Sequence, residues 1–222
     1  PSIPGMAQKP SDPGQPRGCK SPSEYGLKNP QDFDDRYVKT LDGASIHVWK
    51  MYHENSTDVP TLIYFHGNAG NMGLRLQNGF LMHKKCAMNV VMMDYRGFGA
   101  STGTPTEEGL NLDADAVLDD VLNDDRLKGS AVVAFGRSLG GAVAVSLAER
   151  RPIDVSALVL ENTFLSISKM MDSLMPLISI APLKYLLLRI AWDSGAKIQG
   201  LTHPIMFIAG DSDELVPHRH ML

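Results

Sequence analysis

Apolar positions along the chain follow two rhythms that take turns: short continuous or alternating β-type runs, and longer stretches with a spacing near 3.6. This alternation predicts an α/β architecture, a mostly parallel central sheet with helices on both faces. Within DDRYVKTLDGASIHVWKMY (34–52) two alternating runs flank Leu41-Asp42-Gly43, a hairpin signal. TLIYF (61–65) and NVVMMDY (89–95) read as buried strands, and RLQNGFLMHKKCA between them carries apolar residues at helical spacing. An acidic helix is expected around LDADAVLDDVLND (112–124), then the strand AVVAF, a helix after Ser138, the strand ALVL (157–160) and the strand IMFIAG (205–210). No internal repeat or interdomain linker interrupts the series.

The longest apolar stretch, MMDSLMPLISIAPLKYLLLRIAW (170–192), is broken by Asp172, Pro176, Pro182, Lys184 and Arg189, so it does not read as a membrane span. A small helical cap is expected instead, over about 165–200. Residues 1–20, rich in Pro, Gly and Ser, are expected to form a loose tail, with one domain over 21–222. The chain as given is expected to be soluble. Length and the 43% hydrophobic content suit one sizeable core. A net charge of -4, spread over both signs, gives a nucleic acid nothing to be attracted to. The two cysteines, Cys19 and Cys86, show neither metal-ligand nor disulfide-framework spacing.

The chemistry is concentrated where an apolar run stops at glycine. Gly136-Arg137-Ser138-Leu139-Gly140 has the G-x-S-x-G spacing between a predicted strand and a predicted helix, the context in which this motif presents a nucleophile. The hydroxyl must stand on a sharp, strained turn, and a Cβ at 136 or 140 would crowd that turn. The helix after it directs its positive end and free N–H groups at a developing oxyanion. The bland alternative is a glycine-rich turn whose Ser138 merely caps a helix; strand, spacing and helix together favour the nucleophile. YFHGNAGN (64–71) comes after another buried strand, where an oxyanion hole draws its second donor; the expected pair is the backbone amides of Asn68 and Leu139. His66 is expected to orient this loop by hydrogen bonding and not to act as the base.

Other conspicuous residues read as structure. Asp94, Arg96, Gly97 and Gly99 in DYRGFGAS are expected to form a strand-end turn closed by an Asp–Arg pair. The acidic run Asp113, Asp115, Asp119, Asp120, Asp124, Asp125 lacks calcium-loop spacing and is expected to be a solvated helix face; no metal and no cofactor are expected. Asn55-Ser56-Thr57 is a glycosylation sequon that would matter only in a secretory lumen. The methionines read as core or cap packing.

Five motifs in order, FHGNAGN, DYRGFGAST, FGRSLGGAVA, ENTFLSI and AGDSDELVP, resemble the membrane-anchored serine hydrolases of the alpha/beta hydrolase domain-containing protein 13 type, also called Bem46-like, from about residue 22 to 222. The resemblance implies an α/β-hydrolase fold, a Ser-Asp-His triad, hydrolysis of acyl esters or thioesters with palmitoyl-protein thioesterase as the usual inference, and an upstream membrane segment. Its nucleophile falls on Ser138 and its acid on Asp213, just after the last predicted strand, where a carboxylate could hold an imidazole in the right tautomer. Asp211, Glu214 and above all Glu161 are rivals for that role. The family's histidine lies some tens of residues beyond the acid. His218 and His220 are the only histidines after Asp213, and His220-Met221 resembles a non-catalytic part of the pattern.

The expectation is therefore a chain without the last strand, the last helix and the base, with an exposed apolar edge and little turnover. Substrate is expected in an apolar slot under the cap, lined by Leu165, Met170, Leu174, Leu177, Ile178 and Leu186. An acyl ester or acylated protein is the expected partner. Two alternatives stay open: a non-catalytic acyl- or partner-binding protein, which an unreactive Ser138 would reveal, and a peptidase using the same triad.

Overall fold

The computed structural model describes residues 22–163 and 194–210. The expected tail, the cap up to residue 193 with its six candidate lining residues, and 211–222 with Asp211, Asp213, Glu214, His218 and His220 lie outside the described residues.

The chain enters the sheet through a hairpin. Strands β1 (Phe33–Lys39) and β2 (Ser45–Met51) pair antiparallel from Phe33↔Met51 to Lys39↔Ser45. Thr40 N–H donates to the Ala44 carbonyl across the turn, and Gly43 sits at φ 87, which a side chain would resist. Strands β3 (Thr61–Phe65) and β4 (Asn89–Met93) are buried at every residue, as their unbroken apolar runs require of strands covered on both faces. β5 (Val132–Arg137), β6 (Val155–Glu161) and β7 (Ile205–Ile208) complete a seven-stranded sheet of order β1-β2-β4-β3-β5-β6-β7. All pairs beyond β2 are parallel, while β2 joins β4 antiparallel. After β4 the chain crosses back to the other side of β3, so the loops leaving β3 and β5 diverge at a topological switch point, where open α/β sheets bind ligands.

Helices cover both faces. On one, α1 (Leu76–Lys85) lays Leu76 and Phe80 against Trp49, Met51, Leu62, Tyr64, Met92 and Phe135. On the other, α2 (Glu107–Leu122) and α3 (Leu139–Arg150) bury Leu110, Val117, Leu118, Val143 and Leu147 against Ile63, Val91 and Ala134. Each fully buried aliphatic side chain of this kind stabilises the fold by about 1.5–3 kcal/mol. Thr106 caps α2 by accepting a hydrogen bond from Gly109 N–H (3.0 Å), and Glu107 and Glu108 complement the positive end.

Two expectations about charge are corrected. The acidic run is not simply a solvated face. Asp113 is fully buried under Arg96, Asp115 pairs with Arg150 (3.0 Å), and Asp120 and Asp124 each lie 2.8 Å from the ammonium of the buried Lys50. A lysine inside a sheet demands such partners, because an unpaired buried charge is prohibitive. Nor do Asp94 and Arg96 close their turn together. The Arg96 guanidinium grips both carboxylate oxygens of Asp42 (2.6 and 3.0 Å) and Asp113 (2.9 Å), holding the Asp42 carboxyl well below its ordinary range, while Asp94 turns elsewhere.

Candidate active site

Ser138 joins β5 to α3 at φ 53, ψ −117, a conformation that non-glycine residues avoid. The surroundings leave no softer choice. A Cβ on Gly136 would lie 2.2 Å from the Gly140 carbonyl oxygen, and one on Gly140 would lie 2.0 Å from the Phe65 carbonyl oxygen. Helix α3 therefore starts packed directly against the end of β3, which bends the chain sharply at the serine. Ser138 N–H donates to the Glu161 carbonyl (3.0 Å), and its carbonyl accepts from Gly141 N–H and from the Thr163 hydroxyl, both at 2.9 Å. These bonds tie the turn to β6 and to the residues just beyond that strand. Among the described residues no side chain hydrogen-bonds the Ser138 hydroxyl.

The loop after β3 faces this turn. A Cβ on Gly67 would stand 3.5 Å from Ser138 Cβ, so this loop starts against the serine; Asn68, the next residue and the expected oxyanion donor, is partly exposed. Leu139 is the first residue of α3, where N–H groups have no partner within the helix. The structure thus brings Ser138, Leu139 and the 66–70 loop together at the carboxyl end of the sheet. Asp213 and the pocket residues lie outside the described residues. Glu161, the rival acid, ends β6 with its carboxylate 3.8 Å from Arg137.

His66 is fully buried, and its Nδ1–H donates to the Gly67 carbonyl at 2.7 Å, in keeping with a loop-orienting part. Its own carbonyl accepts from the Tyr95 hydroxyl (2.8 Å); burial, with nearby Tyr64, Asp113 and Asp94, pushes that phenol well above its usual range, so it stays a donor. Thr163 is a support of this site that sequence reasoning does not single out, while Asp94, read from the sequence as the partner of Arg96, instead accepts from the Met72 backbone at the end of the neighbouring loop. For Asp94 a signal exists in Gly99, whose φ of 49 and absent Cβ admit the carboxylate, but nothing in the spacing says which loop it serves. Among the described residues no group of three or more His, Cys, Asp or Glu is placed to hold a metal ion, and no helix is long and apolar enough to cross a membrane.

Known proteins show the same pattern. The alpha/beta hydrolase fold profile matches residues 60–187. The alpha/beta hydrolase domain-containing protein WAV2 of Arabidopsis thaliana is 39% identical over 200 residues, covering 85% of this chain and 64% of that protein. Protein bem46 of Schizosaccharomyces pombe is 34% identical over 206 residues, covering 90% of this chain and 68% of that protein. The chain thus spans about two thirds of the length of these relatives. Among solved structures, an esterase of Pyrococcus furiosus superposes with a TM-score of 0.73 at 19% identity over 97% of this chain and 80% of that one, which speaks for the fold. A strand order, a nucleophile-type turn and two extended sequence matches agree: the chain belongs to the alpha/beta hydrolase family, alongside its Bem46-like members.

Proposed function

We propose that this hydrolase is a serine hydrolase that cleaves acyl esters or thioesters, with palmitoyl-protein thioesters as the substrate class that the Bem46 likeness favours. The observation that carries the reading is the strained backbone of Ser138, enforced by Gly136 and Gly140 and facing the Gly67–Asn68 loop. Strain of about 1–3 kcal/mol persists only where the surroundings over-determine it, and here it falls on one partly exposed serine at the switch point of the sheet. In this reading Ser138 Oγ attacks the acyl carbonyl carbon while its proton passes to an imidazole oriented by Asp213. The N–H groups of Asn68 and Leu139 stabilise the oxyanion. The C–O or C–S bond then breaks, and the imidazolium proton goes to the leaving alcohol or thiol. Water, deprotonated by the same imidazole, releases the acid and restores the serine.

The acyl chain would lie under the cap, along Leu165, Met170, Leu174, Leu177, Ile178 and Leu186, and membrane association through an upstream segment, which the Bem46 likeness implies, would bring acylated proteins within reach. The test is turnover of a C2–C16 ester and thioester series by the full-length protein. Activity should extend to long chains and fall by at least about 10⁴-fold in Ser138→Ala. Activity that survives this substitution would overturn the reading.

A further inference from the structure

Asp94 lies just past the end of β4, fully buried, and Arg96 is committed to Asp42 and Asp113. Its carboxylate reaches sideways. Oδ1 accepts the Met72 backbone N–H at 2.7 Å and stands 3.5 Å from His66 Nε2. Met72 and His66 are the two ends of the loop that carries Asn68. Oδ2 lies 4.0 Å from His47 Nδ1, and the other nitrogen of that ring is held by Asp35 at 2.6 Å. Asp94 Oδ2, His66 Nε2 and His47 Nδ1 are all buried without a hydrogen-bond partner among the described residues. A negative group kept dry and incompletely paired is costly, and fold stability alone would favour an apolar residue there.

The turn after β4 is built around this carboxylate. A Cβ on Gly99, at φ 49, would fall 1.7 Å from Oδ2, and the Ser101 hydroxyl donates to the Asp94 carbonyl at 2.6 Å. On the loop side, His66 uses its second nitrogen to hold the Gly67 carbonyl, so what fixes the ring also fixes the peptide leading to Asn68. We propose that Asp94 is a positioning residue: one buried carboxylate, bonded to the Met72 N–H at one end of the 66–72 loop and facing the His66 ring at the other, clamps that loop and so aims the Asn68 amide at the developing oxyanion. The catalytic part of this statement rests on the serine-hydrolase reading. The clamp itself does not.

The test combines amide hydrogen exchange with steady-state kinetics on a short-chain ester, using the full-length protein. In Asp94→Asn the side-chain oxygen can still accept Met72 N–H, so the fold should survive while the charge facing His66 is lost. Exchange within 67–69 should then quicken by at least about tenfold while 71–72, β3 and β5 keep their protection. Because a loosened donor harms the transition state more than substrate binding, kcat should fall at least about tenfold with KM within about twofold. His66→Gln, the second variant, should quicken exchange at 67–69 and leave 71–72 protected. The clamp is overturned if loop exchange is unchanged in both variants, or if protection is lost equally throughout the sheet. Should Asp94→Asn fail to fold, His66→Gln decides by the same pattern. If the unaltered protein neither hydrolyses esters nor takes a serine-directed label, the hydrolase reading fails, whereas the exchange pattern still decides the clamp.

Discussion

Two glycines decide whether the serine can stand where it does. At Gly140 an added methyl would meet the Phe65 carbonyl at 2.0 Å, and backbone on both sides leaves nothing flexible to yield. Gly140→Ala should therefore cost about 3 kcal/mol or more, read as a lowered urea midpoint, and any folded fraction should have lost serine reactivity. The flanking glycines and the strand-to-helix change make this strained turn legible in the sequence, because the constraint is local. Charge partners are not legible. Arg96 selects Asp42, 54 residues before it, and Asp113, 17 after it, in preference to the near neighbour Asp94. Spacing carries no information about such choices, which the sheet makes by bringing distant turns together.

Elements are joined by a few polar bolts as well as by their apolar faces. The end of α2 is fastened to β2 by Lys50, which pairs with Asp120 and Asp124, while Asp124 also accepts from the Tyr52 hydroxyl at 2.8 Å. Replacing Lys50 by Met would leave two carboxylates facing a dry interior and should destabilise by about 3–5 kcal/mol, measured by chemical denaturation. The same bolt sets a pH dependence. Burial pushes the Asp124 carboxyl up, but Lys50, the Arg126 amide and the Tyr52 hydroxyl outweigh it and hold it at about 2, below its ordinary 3.8. A lowered folded value means that the stabilisation is present above about pH 4 and is lost as pH falls through 2. In Lys50→Met that part of the acid slope should shrink; an unchanged slope would show that other carboxylates carry it. The helical pattern at 112–124 matches α2, yet its acidic positions do not form the solvated face the pattern suggests, since a helix-face argument sees polarity and not the buried lysine opposite.

Across the whole molecule the order of elements is readable because buried parallel strands and amphipathic helices announce themselves by period, TLIYF and the 34–52 hairpin most clearly. The β7 side of the sheet is a different matter: among the described residues β7 pairs only with β6, and Met206, Phe207 and Ile208 of this four-residue strand are 60%, 48% and 40% exposed. An apolar strand so placed invites association, so Phe207→Lys should raise the concentration at which the 222-residue chain self-associates, monitored by light scattering. An unchanged threshold would show that other surfaces drive association. The central claim, that the fold exists to present Ser138 as a nucleophile, is tested most directly by treating the full-length protein with a serine-directed fluorophosphonate and locating the adduct by peptide mass. The account predicts a single adduct on Ser138, absent in Ser138→Ala. A correctly folded protein that takes no label, or takes it on another serine, would contradict it.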